Sequence, residues 1–303
     1  MRCCRPIAIL LFPLLICFGC VPRSMTGSSS KTDKDIQVHY QAGINYLNEG
    51  KTPQAVKELT TAQKMAKDNP DVEHALGLAY QQRGFYDRAV EQYQLALKIN
   101  PKLTEARNNL GTVYLVKGEF ENAIEQFEKC LKDPTYETPE KAEYNLGVAY
   151  FHKKDILAAI KHYEEALRLK PDNANALFNL AFCNEKQEKL PEALEIYGKA
   201  VAVQPNFKEA LLRIAHIHKT GKNYAKAKET LDKLLTADPG MLDAKFELAR
   251  LYVEMGDMKK GVTAFKQVSK GDPSGPLGKA ADEEIKKISS DKFKGIPKVS
   301  MRE

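Results

Sequence analysis

The chain has 303 residues, of which 28% are charged and 43% hydrophobic, and its formal net charge is +6 at pH 7. Part of that charge sits at the two ends and the rest is scattered among acidic residues. No basic stripe with interleaved aromatics occurs, which excludes nucleic acid as the expected partner and leaves at most a weak attraction to anionic lipid.

At the N-terminus, Arg2 and Arg5 precede an apolar run from Ile7 to Phe18. Twelve residues are too few to span a bilayer, so 1–19 reads as a signal peptide and not as an anchor. The run closes on Gly19-Cys20, which resembles the lipobox of bacterial lipoproteins, with Cys17 where leucine is usual. The resemblance implies acylation of Cys20, which would become the first mature residue. Acyl chains contribute ~0.8 kcal/mol per buried methylene, so three of them would hold the protein permanently. Val21 in place of aspartate favours the outer membrane, on its periplasmic face. Residues 20–35 read as a polar, flexible tether with a reach on the order of 20 Å.

From 36 to 275 the chain repeats itself. Gly43, Gly77, Gly111, Gly147, Ala181, Ala215 and Ala249 recur every 34 residues, apart from one step of 36. A second small residue follows 12 positions after the first five marks and the last two alike: Ala55, Ala89, Ala123, Ala159, Ala193, Ala227 and Gly261. Four positions further on stands a bulky one: Leu59, Tyr93, Phe127, Tyr163, Tyr197, Leu231 and Phe265. Apolar residues at three- and four-residue spacing predict two amphipathic helices per unit. In the fourth unit these run from Lys141 to about His152 and from Ile156 to Leu169. Small residues let the antiparallel pair approach, and the bulky one fills the space behind the crossing. Pro101, Pro171, Pro205, Pro239 and Pro273 end second helices. A period of this size means a solenoid in which each repeat leans on its neighbours.

The marks match the tetratricopeptide repeat, so the resemblance implies an all-α right-handed superhelix of about seven repeats over 36–275. The third unit carries Cys130 in place of the usual alanine, and two extra residues fall in DPTYETPE after it. The segment 276–303 reads as a capping helix, amphipathic over Lys279 to Ile288, and a basic tail. Cys130 and Cys183 read as buried small hydrophobes.

No Walker loop, dinucleotide fingerprint, nucleophile elbow or zincin helix occurs. His216 and His218 point about 200° apart on a helix and cannot share an ion. No cofactor, metal or catalytic residue is expected, and the chain reads as a binding module and not as an enzyme. In such superhelices the first helices line the concave groove. The first two units place Tyr40, His74, Gln81 and Gln82 there, and the last two place Glu209, His216, Lys219, Asp243 and Arg250. The middle units supply Asn109, Thr112, Leu115, Val116, Tyr144, Asn145, Val148, Phe151, Phe178, Asn179 and Phe182, an apolar and aromatic stretch expected to hold a protein or peptide segment. Phe178 and Phe182 could instead pack between repeats. The amides of Asn109, Asn145 and Asn179 could bond a peptide backbone or neighbouring helix ends.

A solenoid of these repeats behind a lipoprotein signal resembles the PilF/PilW/Tgl family of type IV pilus lipoproteins. The disrupted junction with Tyr136 and Pro139 ahead of NLG carries the resemblance further. It implies a pilotin, which binds secretin subunits and helps them reach the outer membrane or multimerise there. The alternative is a general periplasmic scaffold for envelope, peptidoglycan or polysaccharide-export assembly.

Overall fold

The computed structural model describes residues 31–294, with side chains from 32 to 290. The signal-like run, Cys20 and the end of the basic tail lie outside the described residues. Among the described residues there are fifteen helices and no strand. The chain divides into two compact units between Glu137 and Thr138, inside the segment that holds the two extra residues.

In unit 1, α1 (Lys31–Asn48) pairs with α2 (Thr52–Met65), α3 (Pro70–Gln82) with α4 (Tyr86–Ile99), and α5 (Thr104–Lys117) with α6 (Phe120–Leu131). In unit 2 the pairs are α7 (Pro139–His152) with α8 (Ile156–Leu169), and α9 (Ala174–Lys186) with α10 (Leu190–Val203). They continue as α11 (Lys208–Thr220) with α12 (Tyr224–Ala237), and α13 (Leu242–Glu254) with α14 (Met258–Gly271). A last helix, α15 (Pro276–Lys294), packs on α14 and α13. No helix among the described residues is long and apolar enough to cross a membrane.

Sequence reading placed residues 31–35 in the tether, but they are the first turns of α1. Asp33 lies in the first turn, where its charge complements the positive end of the helix dipole and favours starting there. Helix α7 likewise starts at Pro139, two residues before the predicted Lys141, because proline is pre-organised for the first helical position.

The repeat marks are packing contacts. A Cβ built on Gly77 would stand 2.5 Å from Cε1 of Tyr93, and one on Gly147 would stand 2.5 Å from Cε1 of Tyr163. In the second, third and fourth pairs the ring of the second helix thus lies directly against the bare glycine backbone of the first. The rings are fully buried, as are Ala55, Ala89, Ala123, Ala159, Ala193 and Ala227. Burying a side chain of that size contributes roughly 1.5–3 kcal/mol to each pair.

The turn joining the two helices of each pair has one residue in the left-handed region. It is Gly50, Gly84, Gly118 and Gly256 in four pairs, but Lys154, Glu188 and Lys222 in the other three, with φ of 70°, 62° and 59°. Side chains other than glycine are strained there. Each of Lys154→Gly, Glu188→Gly and Lys222→Gly is expected to raise stability by about 0.5–1 kcal/mol, the released strain being partly offset by unfolded-chain entropy. Urea titration of the three variants checks this.

The C-terminal face of unit 2 is covered. Leu277, Ala281, Ile285 and Ile288 of α15 meet Phe265, Val268 and Ala249, while Lys279, Asp282, Glu283, Lys286 and Lys287 face outward. An apolar inner and charged outer face is what the end of a stack of repeats requires.

Candidate functional site

Because the pairs stack in register, the first helices of each unit lie side by side. In unit 1 these are α1, α3 and α5, and their shared face is polar. Asn109 Nδ2 lies 2.9 Å from His74 Nε2. Tyr93 Oη donates to Gln81 Oε1 at 2.6 Å, Gln81 Nε2 donates to Thr112 Oγ1 at 3.4 Å, and Thr112 Oγ1 donates to the Asn109 carbonyl at 2.7 Å. Asn109 and Thr112 are therefore engaged between repeats and are not idle donors for a peptide backbone. Leu115 and Val116 follow on the same helix and are half-buried.

Burial lowers the His74 imidazole from 6.5 to about 4, so it is neutral at pH 7. With Asn109 donating, Nε2 accepts and the ring proton sits on Nδ1. The folded value lies below the unfolded one. The unfolded chain therefore takes up the proton first, and stability is lost as pH falls from 6.5 toward 4. The loss is expected to reach about 2 kcal/mol by pH 5. It is read as the extra shift in urea midpoint between pH 7 and pH 5 for the parent over His74→Asn.

In unit 2 the first helices are α7, α9, α11 and α13, and the face changes character. Tyr144, Val148 and Phe151 are half-buried on α7, packed with Leu180, Cys183 and Tyr163. Asn179 Nδ2 donates to Tyr144 Oη at 3.2 Å, again between first helices. Asn145, one place before Leu146, is half-buried and also engaged. The amides of Asn109 and Asn179 are engaged within the protein. They bond side chains of the preceding first helix, not helix ends.

Five aromatic rings form one cluster. Phe151 lies 5.6 Å from Phe182, Phe178 stacks on Phe182 at 6.4 Å, and Phe178 also meets Tyr197 at 5.5 Å and Phe207 at 5.2 Å, centroid to centroid. Such offset and tilted pairs contribute about 0.5–1.5 kcal/mol each beyond their burial. Phe151 and Phe178 stay partly exposed, but Phe182 is 6% exposed. Phe182 is thus a packing residue under the strip and not a contact residue on it. The reason is that two cations cover its ring: Lys186 Nζ at 5.0 Å and Arg213 Cζ at 4.6 Å.

Sequence reading missed both cations. Lys186 stands four residues after Phe182, one turn along the same helix, and was legible there. Arg213 was not, and only the length of its side chain brings it across from α11. Arg213 Nη1 reaches Glu185 Oε1 at 3.2 Å, and Tyr197 Oη donates to Glu185 Oε2 at 2.8 Å. Further along, Lys219 was expected as an open groove cation, yet it is 4% exposed and held by Glu247 at 2.6 Å. Cys130 and Cys183 are free and buried, and burial pushes both thiols up to about 12.

The site residues expected from sequence therefore fall into a polar stitched face in unit 1 and an aromatic strip in unit 2. The strip is Tyr144, Val148, Phe151 and Phe178. Its rings are half open to water and flanked by charge.

Tetratricopeptide-repeat sequence models match residues 79–118, 139–206, 185–238 and 220–281, between them more than half of the chain. No curated protein sequence matches significantly. Among solved structures, PilW, titled a widely conserved type IV pilus biogenesis factor, is 18% identical with a TM-score of 0.57, over 83% of this chain and 99% of PilW. PilF of Pseudomonas aeruginosa is 18% identical with a TM-score of 0.53, over 84% of this chain and all of PilF. MamA of Desulfovibrio magneticus RS-1 is 21% identical with a TM-score of 0.53, over 59% of this chain and 99% of MamA. Identities of this size carry the fold and nothing finer. The all-α architecture, the spacing of its packing marks and the matched repeats agree, and the chain belongs to the tetratricopeptide-repeat proteins, whose fold serves as a scaffold for protein or peptide partners.

Proposed function

We propose that the protein is a lipid-anchored, pilotin-like module that binds a secretin subunit and assists its localisation or multimerisation in the outer membrane. The observation that carries the binding half of this reading is the aromatic strip on α7 and α9. A protein with no partner has little reason to leave Phe151 and Phe178 half open beside buried rings. The type IV pilus half is supported by the lipobox-like Gly19-Cys20, by the two extra residues before α7, and by the fold likeness to PilW, a type IV pilus biogenesis factor.

Anchoring is tested first. Labelling with radioactive palmitate is expected to mark the parent and not Cys20→Ala; an unlabelled parent ends the anchoring proposal. A deletion strain is then expected to lose heat-resistant secretin multimers from its outer membrane. If the multimers persist and murein enzymes are recovered with the protein from membranes, the scaffold reading replaces this one.

A further inference from the structure

We infer that the strip on unit 2 selects partner segments carrying a carboxylate beside an apolar anchor, with Lys186 as the group that reads the charge. The inference deepens the proposed function and rests on its reading of the strip as the partner site.

The charge arithmetic is local. Two cations, Lys186 and Arg213, share the ring of Phe182. Glu185 is the neighbouring carboxylate, and both of its oxygens are already engaged, one by Arg213 and one by the Tyr197 hydroxyl. Among the described residues no carboxylate is paired with Lys186, which is an exposed residue. One positive charge is therefore left over, fixed by its contact with Phe182 next to the half-open rings of Phe178 and Phe151. An α-helical segment that lays an apolar side chain on Phe178 presents the residue three or four positions along on the same face, toward Lys186. A carboxylate there gains a partner that is already in place, and loses none of its own. A lysine there would meet two like charges at short range.

A random dodecapeptide display library is the probe, selected against the parent, Lys186→Glu and Phe178→Ser. Each variant is first shown to be folded by circular dichroism. The parent is expected to enrich peptides that combine Leu or Phe with Asp or Glu three or four residues away. Resynthesised, these should bind Lys186→Glu at least tenfold more weakly, and the parent more weakly as salt is raised. Lys186→Gln should give an intermediate loss. Enrichment of neutral or basic peptides, or binding unchanged in Lys186→Glu, overturns the charge inference while leaving the strip intact. Peptides that bind Phe178→Ser as well as the parent overturn both it and the reading of the strip. That result differs from a failure of the charge rule alone.

Discussion

Replacing Glu247 with alanine is expected to lower the stability of unit 2 by about 2–3 kcal/mol, while Lys219→Met changes it by less than about 1 kcal/mol. The asymmetry follows from burial. Lys219 is 4% exposed and reaches from α11 to Glu247 on α13 at 2.6 Å. Removing the carboxylate leaves an ammonium group in a site with little water, and Glu254, at 3.9 Å, replaces it only in part. Methionine in place of Lys219 fills the same volume without a charge to satisfy, and Glu247 can turn outward because it is 26% exposed. That exposure is why the expected cost sits below the range for a fully buried pair. Urea midpoints of the two variants and of the double variant decide the matter. Equal losses for the two single variants would show that the ion pair itself stabilises, and that desolvation of Lys219 is minor.

Gly147→Leu is expected to cost still more, about 3 kcal/mol or above, with Gly147→Ala near 1–2 kcal/mol. The first added carbon already stands 2.5 Å from Tyr163 Cε1, so the ring or the helix must move, and the ring is 1% exposed with nowhere to go. Ala215 at the same mark in α11 faces the smaller Leu231 of α12, whereas Ala181 and Ala249 face Tyr197 and Phe265 in pairs built around the alanine from the start. Gly147→Ala combined with Tyr163→Leu is therefore expected to be less destabilised than the sum of the single changes, by about 1 kcal/mol. Additive losses in thermal unfolding would mean that the glycine is not set by this contact.

What could be read from the sequence was the part that depends on one helix pair at a time. The small residue of the first helix, its bulky counterpart and the closing prolines all act within a pair, so their spacing survives as a pattern. The two-residue step after Cys130 was legible for the same reason, and it marks the boundary between the compact units. Contacts from one repeat to the next were not legible. Asn109 with His74, Asn179 with Tyr144, and Lys219 with Glu247 join residues 35, 35 and 28 apart, and their partners depend on how neighbouring pairs settle. Phe182 shows the limit most clearly. Its position marks it as a groove residue, but Arg213 of the next first helix lies across its ring and closes it off. The neighbours that remain partly open are Phe151 and Phe178, on which the proposed binding role rests.

The central claim is that the partner of this protein is a secretin held on that strip. It is tested most directly by returning a folded Phe151→Ser/Phe178→Ser variant, with Cys20 intact, to a strain lacking the protein. The account predicts that the variant reaches the membrane in normal amount and fails to restore heat-resistant secretin multimers. Multimers restored to the parental level by that variant would contradict it.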